Sequence, residues 1–323
     1  MPRLIWNRSV DITDFCGEIS LSDNLDSVTM ELTWSMPSDP QDKYLSASVP
    51  KVQVGDKVDL IGDTKILFSG IIVERDIAGG MTAYDYGFYL TNNDVILQLN
   101  TTAGTGVAKL CEKAGIPLGA APSLPTKIKK VYAEESCAEI LDDILEQVSA
   151  GTGKNYFWRV KGGKLNIYEY PTRITYAHHS FETGNTLDVT YALGSVGGSD
   201  SIKELRNAVQ VVSEDNGVVK VMATAQDSGS IARFGRMLDI VKQSGEEQNP
   251  QTAAENKLRE NNTVKKTRSV TNMLGSEAVE AGALLLFSSD KFEVTGIYLV
   301  KGVTHTFGAG YTMNLDIIKP EVV

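Results

Sequence analysis

Between Ser27 and Trp34 the chain reads SVTMELTW, with apolar and polar residues alternating. A period of two puts one face of an extended strand in a core. From Gly55 to Leu90 the sequence is GDKVDLIGDTKILFSGIIVERDIAGGMTAYDYGFYL. It predicts strands over Lys57–Ile61 and Ile66–Asp76, separated by the turn residues Gly62 and Asp63. Ala78-Gly79-Gly80 supplies the positive-φ positions of a tight hairpin, and a returning strand is expected from Met81 to about Leu90. The stretch from Pro37 to Pro50 reads as a loop. Near the C-terminus, Gly302 to Asp316 (GVTHTFGAGYTMNLD) echoes the earlier module: a glycine, an outgoing strand, a glycine turn and a returning strand.

The period lengthens after Asn100. Thr105 is expected to cap a short helix that Gly115 stops, with Val107, Leu110 and Cys111 on its inner face. Pro117, Pro122 and Pro125 mark a connector. Ser136 then caps a stronger helix to about Ser149, whose Ile140, Leu141, Ile144, Leu145 and Val148 recur at spacings of three and four. A hairpin is predicted from Tyr156–Val160 and Leu165–Tyr170 around Lys161-Gly162-Gly163-Lys164. Gly194 to Asp200, GSVGGSD, reads as a flexible linker. Beyond it, Arg206–Val212 and Val218–Thr224 flank the turn Asp215-Asn216-Gly217. Asn249-Pro250-Gln251 opens a helix to about Asn261. Strands dominate from Arg268 to Ile318, including the apolar run Ala281–Phe287. The pattern predicts an α+β chain that is mainly β. Its domains are read as a β domain over 1–100, a small α/β domain over 101–195 and a β-rich domain with one helix over 196–323.

Length and composition fit that division. With 323 residues, 42% of them hydrophobic and 22% charged, the chain is long enough for roughly two or three cores. No apolar run approaches the ~20 residues that span a bilayer, so membrane insertion is not expected. The N-terminal MPRLIWNRSVDITDF lacks the apolar core of a secretory signal, which predicts folding in a cytoplasm. The net charge is −10, and sequence-specific nucleic-acid binding usually needs a basic face. The basic clusters, Lys127–Lys130 and Lys265–Arg268, have no interleaved aromatics and read as solvated surface.

Candidate chemistry is sparse. Cys16, Cys111 and Cys137 form neither a CxxC nor a Cys/His cluster, and the latter two fall on apolar helix positions where cysteine packs as a small hydrophobe. His178 and His179 are adjacent, so on a strand they face opposite ways and cannot converge on one metal. His305 sits on a predicted strand with no partner readable from sequence. Ser195 lacks a nucleophile elbow. Gly104-Thr105-Gly106 lacks the Lys-Ser/Thr of a phosphate loop. The acidic pairs Glu134-Glu135, Asp142-Asp143 and Glu246-Glu247 are neighbours in sequence, whereas glycoside hydrolysis needs carboxyls facing across a cleft. Asp142 and Asp143 read as the wet face of their helix. No catalytic, cofactor or metal residues are assigned, and the chain is read as a non-enzyme.

Three segments carry a resemblance: GDKVDL and LFSGIIVERD within Gly55–Asp76, TAYDYGFYLTNNDVILQLN at Thr82–Asn100, and SIKELRNAVQV at Ser201–Val211. With the helix Ala253–Asn261 and the C-terminal strands, they make the chain similar to the XkdQ/YqbQ-type baseplate hubs of phage tails, prophages and bacteriocin-like tail particles. The resemblance implies two β-barrel-like tube domains with the α/β domain between them. It also implies a homotrimer whose six tube domains join a sixfold tail tube protein to a threefold spike protein. Other baseplate proteins, and a tape-measure protein in the bore, would be its further partners. The implied location is the baseplate of a virion or tail-like particle assembled in the host cytoplasm. A reading from another class, a cell-wall hydrolase or carbohydrate-binding component of a tail tip, requires a cleft with convergent carboxylates.

Overall fold

A computed structural model describes residues 2–38, 44, 48–170, 175, 186–187, 195–215, 218–242, 249–289 and 294–319. The first region forms strands β1 (Arg3–Trp6), β2 (Val10–Asp11), β3 (Ile19–Asn24), β4 (Glu31–Ser35), β5 (Lys57–Ile61), β6 (Ile66–Arg75) and β7 (Gly80–Asp85). Helix α1 (Phe88–Thr91), β8 (Leu97–Thr102), α2 (Ala103–Ala114), β9 (Lys127–Tyr132), α3 (Cys137–Thr152), β10 (Tyr156–Lys161) and β11 (Lys164–Glu169) follow. The remainder comprises β12 (Thr186–Leu187), β13 (Val196–Ser201), β14 (Ala208–Asp215), β15 (Val218–Gln226), α4 (Ser228–Phe234) and β16 (Leu238–Lys242). It ends with α5 (Pro250–Asn261), β17 (Lys265–Leu274), β18 (Leu284–Ser289), β19 (Val294–Phe307) and β20 (Tyr311–Ile318). The chain is α+β and mainly β, as its periodicity predicts.

The largest sheet joins both ends of the chain. Its path is β13-β17-β20-β19-β3-β4-β7-β6-β5-β1-β2, with β18 beside β19 and β12 beside β18. Among the described residues this path stays open and no barrel closes. The β3–β4 hairpin lies in the middle: β3 pairs with β19 (Leu21 opposite His305) and β4 pairs with β7 (Leu32 opposite Ala83). The inward phases of β3 and β4 therefore feed one core, in which Leu4, Leu32, Leu60 and Ile72 are fully buried with Phe307 from the far end of the sequence. A second core lies between α2, α3 and the β8–β9 and β10–β11 hairpins, and a third beneath β17–β20. A small three-stranded sheet, β15-β14-β16, packs on α5.

The hairpin echo holds in register. Gly70 pairs with Asp85 across β6–β7, and Gly302 pairs with Asp316 across β19–β20. The two aspartates face opposite ways, Asp85 buried and Asp316 exposed.

Several expected boundaries move. The strand expected from Ser27 starts at Glu31, because the chain turns at Leu25–Asp26 and bends at Val28–Thr29, where the Ser27 hydroxyl donates to Thr29 O at 2.8 Å. The strand expected to reach Leu90 ends at Asp85, whose carboxylate accepts from Gly87 N at 2.7 Å and turns the chain into α1. Thr102, not Thr105, caps α2, because β8 runs into the helix without a loop. The expected linker is strand β13 from Val196, bonded along its length to β17. Its glycines suit close pairing: a Cβ on Gly198 would lie 2.4 Å from Thr267 O. Gly194 and most of the Pro37–Pro50 loop lie outside the described residues.

Candidate functional site

Two acidic residues stand on the apolar phase of their strands. In β3 the buried positions are Ile19, Leu21 and Asp23, and in β7 they are Met81, Ala83 and Asp85. A carboxylate so placed must find partners inside the molecule or bear the cost of desolvation. Asp23 finds two: Arg159 Nε on β10 donates to Oδ1 at 3.1 Å, and Ala281 N in the loop before β18 donates to Oδ2 at 3.1 Å. The same guanidinium donates to Asn24 O at 2.7 Å and to Trp158 O at 2.9 Å. One buried ion pair therefore ties β3, β10 and the loop over 275–283 together. Asp85 accepts from Met30 N at 3.0 Å and from Gly87 N. Burial pushes its carboxyl up to about 7, against the pull of those two amides and of Arg159.

The 275–283 loop also reaches the β5–β6 turn. Glu277 accepts from Asp63 N at 2.8 Å and from the Thr64 hydroxyl at 3.3 Å. Glu280 pairs with Lys65 from that turn and with Lys161 at the end of β10. Burial raises the Glu280 carboxyl, but the two ammonium groups outweigh it and leave the group below its ordinary range. Lys161 is held above its ordinary range because Glu280 overcomes the lowering effect of burial. Behind Glu280 lies a cavity of about 100 Å³, lined among others by Leu21, Asp23, Asp85, Lys161 and His305.

His305 borders this cavity from β19. Its Nε2 is 3.0 Å from Val279 O, which only accepts, so Nε2 carries the proton. Nδ1 then accepts from the Tyr311 hydroxyl at 3.0 Å. Burial lowers the pKa of the ring, so it is held neutral. Both side-chain heteroatoms of Asp23, Asp85 and His305 are thus engaged within the chain. The cluster locks three regions of sequence into one body.

The remaining residues singled out by sequence serve local roles. Ser195 bonds with Thr271 across β13 and β17. Gly104-Thr105-Gly106 forms the first turn of α2, where Gly106 lets the helix approach Leu99. Cys111 and Cys137 are buried and Cys16 half-buried, all as free thiols; burial pushes Cys16 up to about 12 and Cys111 up to about 11. Glu135 accepts from Ala133 N and Glu134 N at the turn before α3. Asp142 is exposed and accepts from Trp158 Nε1 at 2.7 Å. Asp143 departs from the wet-face expectation: it is half-buried and bonds Lys130, Tyr132 and Gln147. In the second basic cluster Lys265 pairs with Glu204, and Arg268 with Asp200. His178, His179, Glu246 and Glu247 lie outside the described residues. Among the described residues no group of three or more His, Cys, Asp or Glu could hold a metal, and no helix is long and apolar enough to cross a membrane.

Asp23, Asp85, Arg159 and Glu280 escape motif reading because they are far apart in sequence. The available signal is a carboxylate on an otherwise apolar strand phase, at Asp23 and Asp85.

A family model described as YQBQ-like matches residues 19–318. No curated protein matches the chain. Among solved structures, the chain is similar to the 43 kDa tail protein of prophage MuSo2 from Shewanella oneidensis. That likeness has 13% identity, covers 99% of this chain and 98% of the other, and has a TM-score of 0.68. It is similar to a tail protein from Neisseria meningitidis at 11% identity, over 98% of this chain and 95% of that one, with a TM-score of 0.65. It is also similar to prophage tail protein gp18 from Listeria monocytogenes, at 9% identity, 94% and 89% coverage and a TM-score of 0.58. At such identities the likeness is one of fold.

Proposed function

The chain belongs to the YQBQ-like family, and on that premise we propose that it is a non-enzymatic structural subunit of a phage tail or tail-like particle, acting as its baseplate hub. In this reading the regions 1–100 and 196–323 act as two tube-like modules, and 101–195 is an α/β unit between them. Three copies form a ring of pseudo-sixfold symmetry, which joins a sixfold tail tube to a threefold spike. Other baseplate proteins surround the ring, and a tape-measure protein passes through it. The ring is built in the bacterial host cytoplasm and ends in the baseplate of the particle.

The observation that carries this reading is the paired hairpin register, Gly70 opposite Asp85 and Gly302 opposite Asp316, on the two sides of the β3–β4 hairpin. A subunit with two comparable β modules supplies six units from three copies. The likeness in fold to prophage tail proteins supports the same reading. The net charge of −10 suits a bore that must not hold a polyanion, since phosphate contacts dominate nucleic-acid affinity. The test is light scattering and electron microscopy of the full chain, alone and mixed with tube and spike proteins. A ring of three times the chain mass is expected. Monomers alone, even with both partners present, would overturn the proposal.

A further inference from the structure

Strand β15 is the edge of the small sheet and carries a long apolar exposure. Val218 is 69% exposed, Val219 60%, Val221 50% and Met222 44%. Successive strand residues face opposite ways, so Val218 to Met222 are exposed on both faces, while farther along the sheet Val209, Val211 and Ala225 pack with Ala254 of α5. Soluble chains protect such edges with charge, proline or a covering element, because a row of unpaired amides beside β-branched residues invites pairing. Here the protection amounts to Lys220 and a bulge between Val211 and Val212 that skips Met222. Among the described residues no strand pairs with the outer edge of β15.

The chain also has a matching free edge. β13 ends the path of the large sheet, and among the described residues only β17 pairs with it. Its VGGSDS carries little side-chain bulk, and Gly197 to Asp200 are exposed. We propose that β15 of one copy pairs antiparallel with β13 of the next copy, and that this strand pair is the subunit seam. The inference rests on the ring reading above and names the surface that closes it. A register that sets Lys220 opposite Asp200 places Val221 opposite Ser199 and Met222 opposite Gly198. The apolar side chains then meet no bulk, and the lysine joins a carboxylate that already pairs with Arg268 within its own copy.

Charge and closure select a second copy as the occupant. Across 208–242, Lys220, Arg233, Arg236 and Lys242 balance Glu214, Asp215, Asp227 and Asp239, whereas the whole chain carries −10. Another acidic copy meets less like-charge repulsion here than over an average surface. A head-to-tail contact that uses one edge of each kind leaves neither exposed once the ring closes.

The test uses full chains with Lys220→Cys and Asp200→Cys. Both positions are exposed; Asp200→Cys gives up the surface pair with Arg268, so circular dichroism and thermal melting check the fold of each variant, and the three native thiols are controlled by the parent chain. Under mild oxidation the double variant is expected to give disulfide-linked dimers and trimers. A mixture of the two single variants should stop at dimers, and neither single variant alone should crosslink. A separate variant, Val219→Glu with Val221→Glu, should weaken assembly at least about tenfold, while Ile77→Glu on a distant turn should not. A wild-type ring without these crosslinks would overturn the seam and leave the ring standing. Crosslinking of Lys220→Cys alone would overturn the head-to-tail pairing. A wild type that never assembles would overturn both.

Discussion

Asp85 occupies the last inward position of β7, where its two oxygens hold Met30 N and Gly87 N. Its carboxyl is raised to about 7, above an ordinary value of about 3.9. Between those two pH values the folded chain holds a proton that the unfolded chain has released. The group therefore adds stability as pH falls and withdraws it as pH rises through about 7. His305 acts in the opposite sense: burial keeps it neutral, so stability is lost as pH falls below its ordinary value. Asp85→Asn separates the two. The amide accepts from only one of the two backbone donors and so lowers stability overall, but it does not titrate. Urea midpoints measured from about pH 5 to pH 8 should decline for the wild type relative to Asp85→Asn. Parallel profiles for the two proteins would remove the assignment.

The two hairpins share a Gly–Asp pairing but not the reason for the glycine. A Cβ on Gly70 would lie 2.1 Å from Tyr84 O and 2.6 Å from the Phe68 ring, so backbone must move to admit it. A Cβ on Gly302 would meet the Asn24 amide nitrogen at 2.9 Å, the movable end of a side chain. Gly70→Ala should therefore cost about 1–3 kcal/mol or more, and Gly302→Ala clearly less, in thermal unfolding. Equal losses would contradict the packing described. Local signals of this kind are what the sequence makes legible. Ser136 and Glu139 form a capping box for α3, Gly115 and Gly153 stop α2 and α3 in the left-handed region, and Gly162-Gly163 turns β10 into β11. The Gly-rich run at β13 misleads, because strand pairing uses backbone groups and β17, which satisfies them, lies some seventy residues away. The polar cluster is illegible for the same reason: Asp23 meets Arg159 and Ala281 across separations of 136 and 258 residues.

At the scale of the molecule, that cluster adds a polar tie from β10 to the β3 and 275–283 segments, whose regions already share the large sheet. Asp23 and Arg159 are each about 4% exposed, so neither charge is rescued by solvent if its partner is lost. Arg159→Ala or Asp23→Ala should destabilise the fold by about 3–5 kcal/mol in urea unfolding. Asp23→Leu with Arg159→Met should recover part of that loss, since two apolar groups leave no orphaned charge. A single substitution costing well under 1 kcal/mol would remove the cluster from its role as the lock.

The position of the β3–β4 hairpin sets a clock on biosynthesis. Strand β3 leaves the ribosome well before one of its two neighbours, β19, whose pairing residues run from Gly302 to Phe307. At about 5–20 residues per second, roughly 15–60 s separate the two strands. Throughout that interval the edge of β3 and the cavity that Phe307 will fill stay open in the nascent chain. A product truncated before β19 therefore keeps an unfinished N-terminal sheet, and synthesis as far as Phe307 becomes the condition for closing the first core.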